Sequence, residues 1–113
     1  MKEIMIDGKK YVEAEEKTLK QYSIIRTYSA GVHFGIVVRR DGKEVTLRDA
    51  RRIWYWDGAA SLSQMALEGV KKPENCKFSV SIPEILLTEA IEVIPCTDKA
   101  RESIFNVRDW RRD

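Results

Sequence analysis

The sequence predicts a single α+β domain, mainly antiparallel β-sheet or a partly open barrel, with two short helices. Three observations predict it. Asp7-Gly8 and Asp41-Gly42 each separate short runs of alternating apolar residues, the pattern of tight hairpins whose turn residues need positive φ. Tyr22–Tyr28 and Val32–Arg39 are rich in β-branched and aromatic residues, as strands favour. At Ser61 the apolar period changes from two to helical. With 113 residues and 43% hydrophobic content the chain matches one domain, at roughly 100–150 residues per domain, with a core that needs no disulfide or metal staple.

In chain order, residues 1–12 read as an N-terminal hairpin over Ile4–Val12, and 13–20 as a charged connection. Residues 21–107 hold the sheet and helices, and 108–113 form a basic tail. Tyr22–Tyr28 and Val32–Arg39 make a second hairpin around Ser29-Ala30-Gly31. Lys43–Leu47 and Arg51–Trp56 read as two further strands. On the latter, Arg52, Trp54 and Trp56 share one face and Arg51, Ile53 and Tyr55 the other. Ser61 with Gln64 forms a capping box that starts a helix over 61–68, with Gly69 as its stop. A short strand is expected over Lys77–Ser81. Leu87, Ala90, Ile91 and Ile94 fit a helix, but β-branched density and Pro95 decide for one strand over 85–94, with Ile85, Leu87, Ile91 and Val93 on one face. Thr97 caps a last helix to Asn106.

Lys plus Arg number 20 against 18 Asp plus Glu, a net charge of +2. With a pI near 8.6, this speaks against a polyanion-coating protein and leaves any anion site local. Two cysteines, Cys76 and Cys96, and one histidine, His33, cannot supply a four-ligand Cys/His zinc site. No cofactor motif of Walker, Rossmann or His-Glu-x-x-His type is present. Met1–Gly8 carries Lys2, Glu3 and Asp7 rather than a signal-peptide core, and no apolar run approaches the roughly 20 residues of a membrane helix. A reducing cytoplasm with free thiols and no membrane partner is the expectation.

The same scarcity argues against an enzyme, because no nucleophile, base and orienting group are evident together. Glu89 and Glu92, the closest acidic pair in an apolar segment, point to opposite faces of a strand and cannot flank one substrate. What stands out instead is the segment from Arg51 to Gln64. Arginine forks grip phosphate, tryptophan faces stack on bases, and a helix start offers free N–H groups. Arg51, Arg52, Trp54, Trp56, Ser61, Ser63 and Gln64 are therefore candidate ligand-binding residues, with Tyr28 and His33 from the neighbouring hairpin. Arg108, Trp110 and Arg111 form a second basic-aromatic cluster in the tail. Arg52 and Trp56 are expected to matter for binding more than for folding.

The strings Tyr28-Ser29-Ala30-Gly31-Val32-His33-Phe34-Gly35, Ala50-Arg51-Arg52-Ile53-Trp54-Tyr55-Trp56 with Gly58-Ala59-Ala60-Ser61-Leu62-Ser63-Gln64, and Leu87-Thr88-Glu89 through Pro95-Cys96-Thr97 resemble a family of small tailed-phage proteins of largely unknown function. Size and fold pattern are also similar to phage anti-defence sponges of the Thoeris and CBASS types. That resemblance implies a non-enzymatic protein in the infected host cell that sequesters a cyclic-nucleotide or cyclic ADP-ribose type immune signal, and a homo-oligomer with pockets between subunits. The other reading from the residues is a phage regulator whose basic-aromatic surface binds nucleic acid or a host protein.

Overall fold

The computed structural model describes residues 21–113. The hairpin expected over Ile4–Val12 and the connection over 13–20 lie outside the described residues. Six strands form one antiparallel sheet: β1 (Tyr22–Thr27), β2 (Val32–Asp41), β3 (Glu44–Tyr55), β4 (Lys77–Phe78), β5 (Ile82–Leu87) and β6 (Ala90–Pro95). Among the described residues two α-helices, α1 (Leu62–Glu68) and α2 (Asp98–Phe105), and a short 3-10 turn at Pro73–Asn75 accompany it. The order is β4-β3-β2-β1-β6, and β5 joins the same edge of β3 as β4 does. β5 and β6 are not paired to each other, so the sheet curls without closing into a barrel.

Alternation along the strands gives the sheet two buried faces. Tyr22, Ile24, Phe34 and Ile53 pack with Met65 and Ala66 of α1 and Ala100 and Ile104 of α2. Tyr22 stacks on Phe34 with ring centroids 4.8 Å apart, and Phe105 closes edge-on against both. On the opposite face Ile25, Val45, Leu47, Ala50, Leu87 and Ala90 form a second cluster inside the curl. Cys96 joins the helix-side core and Cys76 packs at its margin, both as free thiols.

Four expected strands differ. Lys43–Leu47 and Arg51–Trp56 belong to one twelve-residue strand, β3. Its register slips where Phe34 and Ile36 pair with Arg51 and Arg48, and Asp49 there adopts φ 52°. The bulge moves the face turned into the curl from Val45 and Leu47 to Ala50 and Arg52, so simple alternation breaks there. The single strand expected over 85–94 is two strands, β5 and β6, with Thr88 and Glu89 between them. Ile91 is accordingly exposed, and Ala90 takes the buried place. The strand expected to reach Ser81 stops at Phe78, and its neighbour Ser79 instead bonds back to β3, its N–H donating to the Arg52 carbonyl at 2.9 Å.

Candidate functional site

The β1–β2 turn is tied down by its own side chains. Thr27 Oγ1 donates to the Gly31 carbonyl at 2.7 Å and accepts from the Ala30 N–H at 2.8 Å. Gly31, at φ 85°, supplies the left-handed backbone the turn needs. His33 Nε2 lies 2.9 Å from the Ala30 carbonyl oxygen, fixing the far side of the turn. His33 is about 1% exposed, and burial lowers its pKa, with Arg52 nearby adding to the effect. It is a neutral ring that holds the turn.

The register sets His33 opposite Arg52. A cleft of about 580 Å³ follows, walled by Ser29, Ala30 and Gly31 on one side and Arg52, Trp54 and Trp56 on the other. Trp54 is 63% exposed. Its ring stacks on Trp110 at 6.2 Å and 18° between planes, and Lys77 Nζ lies 5.3 Å from the Trp110 ring. Trp110 itself is held to the sheet, its N–H donating to the Phe78 carbonyl at 2.8 Å, while Asp109 bridges to Phe78 in parallel. Tryptophan faces and an arginine thus come together on a preformed surface. Arg52 makes no side-chain hydrogen bond or ion pair among the described residues, which leaves its guanidinium for an anion.

The remaining candidates are placed otherwise. Arg51 is buried on the helix side of β3. Its guanidinium donates to the carbonyls of Ile104 at 2.8 Å, Val107 at 2.6 Å and Ser79 at 2.8 Å, and pairs with Asp109 at 3.0 Å. It caps carbonyls at the C-terminal end of α2, where a cation is favoured, the Ile104 carbonyl accepting from the Val107 N–H as well at 3.2 Å. Its donors are engaged there rather than toward a ligand. Trp56 is half-buried against the helix-side core and donates from Nε1 to the Ala59 carbonyl at 3.2 Å. It therefore combines cleft wall and packing.

Ser61, Ser63 and Gln64 do not line the cleft. The α1 start is closed by its own residues, Ser61 Oγ accepting from Gln64 N–H at 3.1 Å and Gln64 Oε1 accepting from Ala60 N–H at 2.7 Å. Tyr28, 80% exposed, stands on the turn beyond the cleft wall. Arg108 and Trp110 line a separate cleft of about 420 Å³ with Glu74 and Cys76, and Arg111 is exposed beyond it. Glu89 accepts from Ser29 Oγ, and Glu92 pairs with Arg26 at 2.8 Å. Ser29, Ala30, Gly31 and Lys77 were not singled out by the sequence; pairing the Ser29–Gly31 turn with β3 would have found three of them.

A family profile, the domain of unknown function DUF6948, matches residues 20–104. The chain belongs to that family. The DUF6948 span carries β1 to nearly all of α2, and so the whole wall of the 580 Å³ cleft. Trp110, with Arg108 and Arg111, lies beyond it. No curated protein and no solved structure matches the chain.

Proposed function

We propose that the protein binds a nucleotide-derived small molecule and leaves it chemically unchanged. The observation that supports this most directly is the cleft where the Ser29–Gly31 turn faces Arg52, Trp54 and Trp56. Its volume of about 580 Å³ falls within the roughly 300–1,000 Å³ of small-molecule sites. An exposed indole stacks on a base of any identity, and an unpaired guanidinium takes a phosphate in a bidentate fork.

Binding without turnover agrees with the state of the reactive groups. His33 is buried, bonded and held neutral by burial. Burial pushes the Cys96 thiol up to about 12 and also raises Cys76, so neither is a ready thiolate. Among the described residues no cluster of three His, Cys, Asp or Glu is arranged to hold a metal. In its finer form the proposal names the ligand as a host nucleotide immune signal sequestered by a phage protein, which rests on the resemblance of the quoted strings. A second copy of the chain covering the exposed Trp54 face belongs to the same reading.

A thermal-shift panel of mononucleotides, cyclic di- and trinucleotides and cyclic ADP-ribose isomers tests it, since a ligand stabilises by RT ln(1 + [L]/Kd). One class should raise the melting temperature and be recovered intact after denaturation. Breakdown beyond stoichiometry would contradict sequestration, and a flat panel would contradict nucleotide binding altogether. Light scattering with and without the hit reads the second copy.

A further inference from the structure

Arg52 lines two clefts. Besides the aromatic one, it borders a smaller hollow of about 240 Å³ formed with His33, Ser79, Val80, Ile82 and Ile85. This hollow lies below the roughly 300 Å³ at which independent small-molecule sites begin, so it suits a single ring rather than a second ligand. Its polar groups other than the Arg52 guanidinium are already engaged. Ser79 Oγ accepts from the Arg52 N–H at 2.8 Å and donates to the Val80 carbonyl at 3.0 Å, while His33 Nε2 is paired with the Ala30 carbonyl. What the hollow offers is the side chains of Val80, Ile82 and Ile85.

From this arrangement, which rests on the nucleotide reading above, we infer that the ligand is two-armed. One base stacks at Trp54, an anionic linkage meets Arg52, and a second flat ring enters the hollow between His33 and Ile82. A dinucleotide has that order of parts: ring, charge, ring. A mononucleotide fills only one cleft and leaves the apolar hollow to water. Arg51 also borders the hollow, but its guanidinium is held by the Ser79, Ile104 and Val107 carbonyls and by Asp109, so the charge of the ligand is drawn to Arg52.

Isothermal titration of the full chain with pA, pG, pC and pU, and with the matching pApA, pGpG, pCpC and pUpU, decides it. The preferred dinucleotide should bind about tenfold or more tightly than its mononucleotide, the worth of one further buried ring. Ile82→Trp, at the half-exposed mouth of the hollow, should bring that ratio close to one by filling the space. Val80→Trp provides a second obstruction from the inner wall, so that misfolding of either variant does not remove the test. Equal affinities in the wild-type chain, or a ratio that survives an obstructing tryptophan, would overturn the two-armed ligand and leave nucleotide binding standing. Failure of all eight probes to bind would overturn the two-armed dinucleotide ligand, and a flat thermal-shift panel beside it would overturn nucleotide binding as well.

Discussion

Arg51 and Arg52 are neighbours with opposite surroundings; strand alternation put them on opposite faces, but by residue type both were candidates for a ligand. What alternation could not show is that the end of α2 lies against Arg51, because that contact joins residues more than fifty positions apart. Removing a buried donor strands its acceptors at about 1–3 kcal/mol each. Arg51→Met should therefore lower the melting temperature by about 10 °C or more, at roughly 4–8 °C per kcal/mol for a small domain. Arg52→Ala, on an exposed side chain, should stay within about 0.5 kcal/mol of the wild type. Equal losses in the two variants, measured by calorimetry, would refute the division.

His33 makes a separable prediction. Its folded pKa is lowered from 6.5, chiefly by burial, so the unfolded chain takes up a proton first as the pH falls. The associated stability is complete above pH 6.5 and declines as acidification continues toward the folded pKa. Glu68 and Glu92 are held below their ordinary 4.5, by Lys71 and Arg26, and their contributions are lost only at more acidic pH. Denaturant midpoints between pH 5 and pH 6.5 should therefore slope downward in the wild type and lose most of that slope in His33→Gln. An unchanged slope would place the titration elsewhere.

At the scale of elements, the helices were readable because each carries its own local signals. Thr97 Oγ1 accepts from the Ala100 N–H at 3.1 Å and also donates to the Leu67 carbonyl at 2.7 Å, so the α2 cap is at the same time a tie to α1. Thr97→Ala should cost about 1 kcal/mol, the usual worth of a cap. Gly69 ends α1 at φ 78°, and a Cβ there would collide with the side chain of Ser103 on α2. Gly69→Ala should therefore destabilise by more than about 1 kcal/mol, whereas the same change at a site with compatible backbone stabilises, and chemical denaturation compares it with Thr97→Ala directly. The strands were less readable where their period breaks. The bulge at Asp49 hid the continuity of β3, and the Thr88-Glu89 connection happened to space Leu87, Ala90, Ile91 and Ile94 as a helix would. Both depend on partners distant in sequence, which a one-dimensional pattern does not contain.

The described residues form a curled sheet whose helix-side face is covered while the end of its other face carries Arg52 and Trp54. The components of the site were legible as residue types, but their selection was not. Folding engages Arg51 at the end of α2, closes the α1 start with Ser61 and Gln64, half-buries Trp56, and brings the Ser29–Gly31 turn and Trp110 to Trp54 instead. The tail is part of this surface through the Phe78–Asp109 bridge and the tryptophan stack. Trp110→Ala should thus weaken ligand binding less than Trp54→Ala, whose ring walls the cleft itself.

The most direct measurement is a calorimetric titration of the best nucleotide from the thermal-shift panel into wild type, Arg52→Ala and Trp54→Ala, with each variant's melting temperature recorded alongside. Both variants should melt close to the wild type while affinity falls, for Trp54→Ala by about 1–3 kcal/mol. Wild-type affinity in both variants would contradict the assignment of the ligand to this cleft.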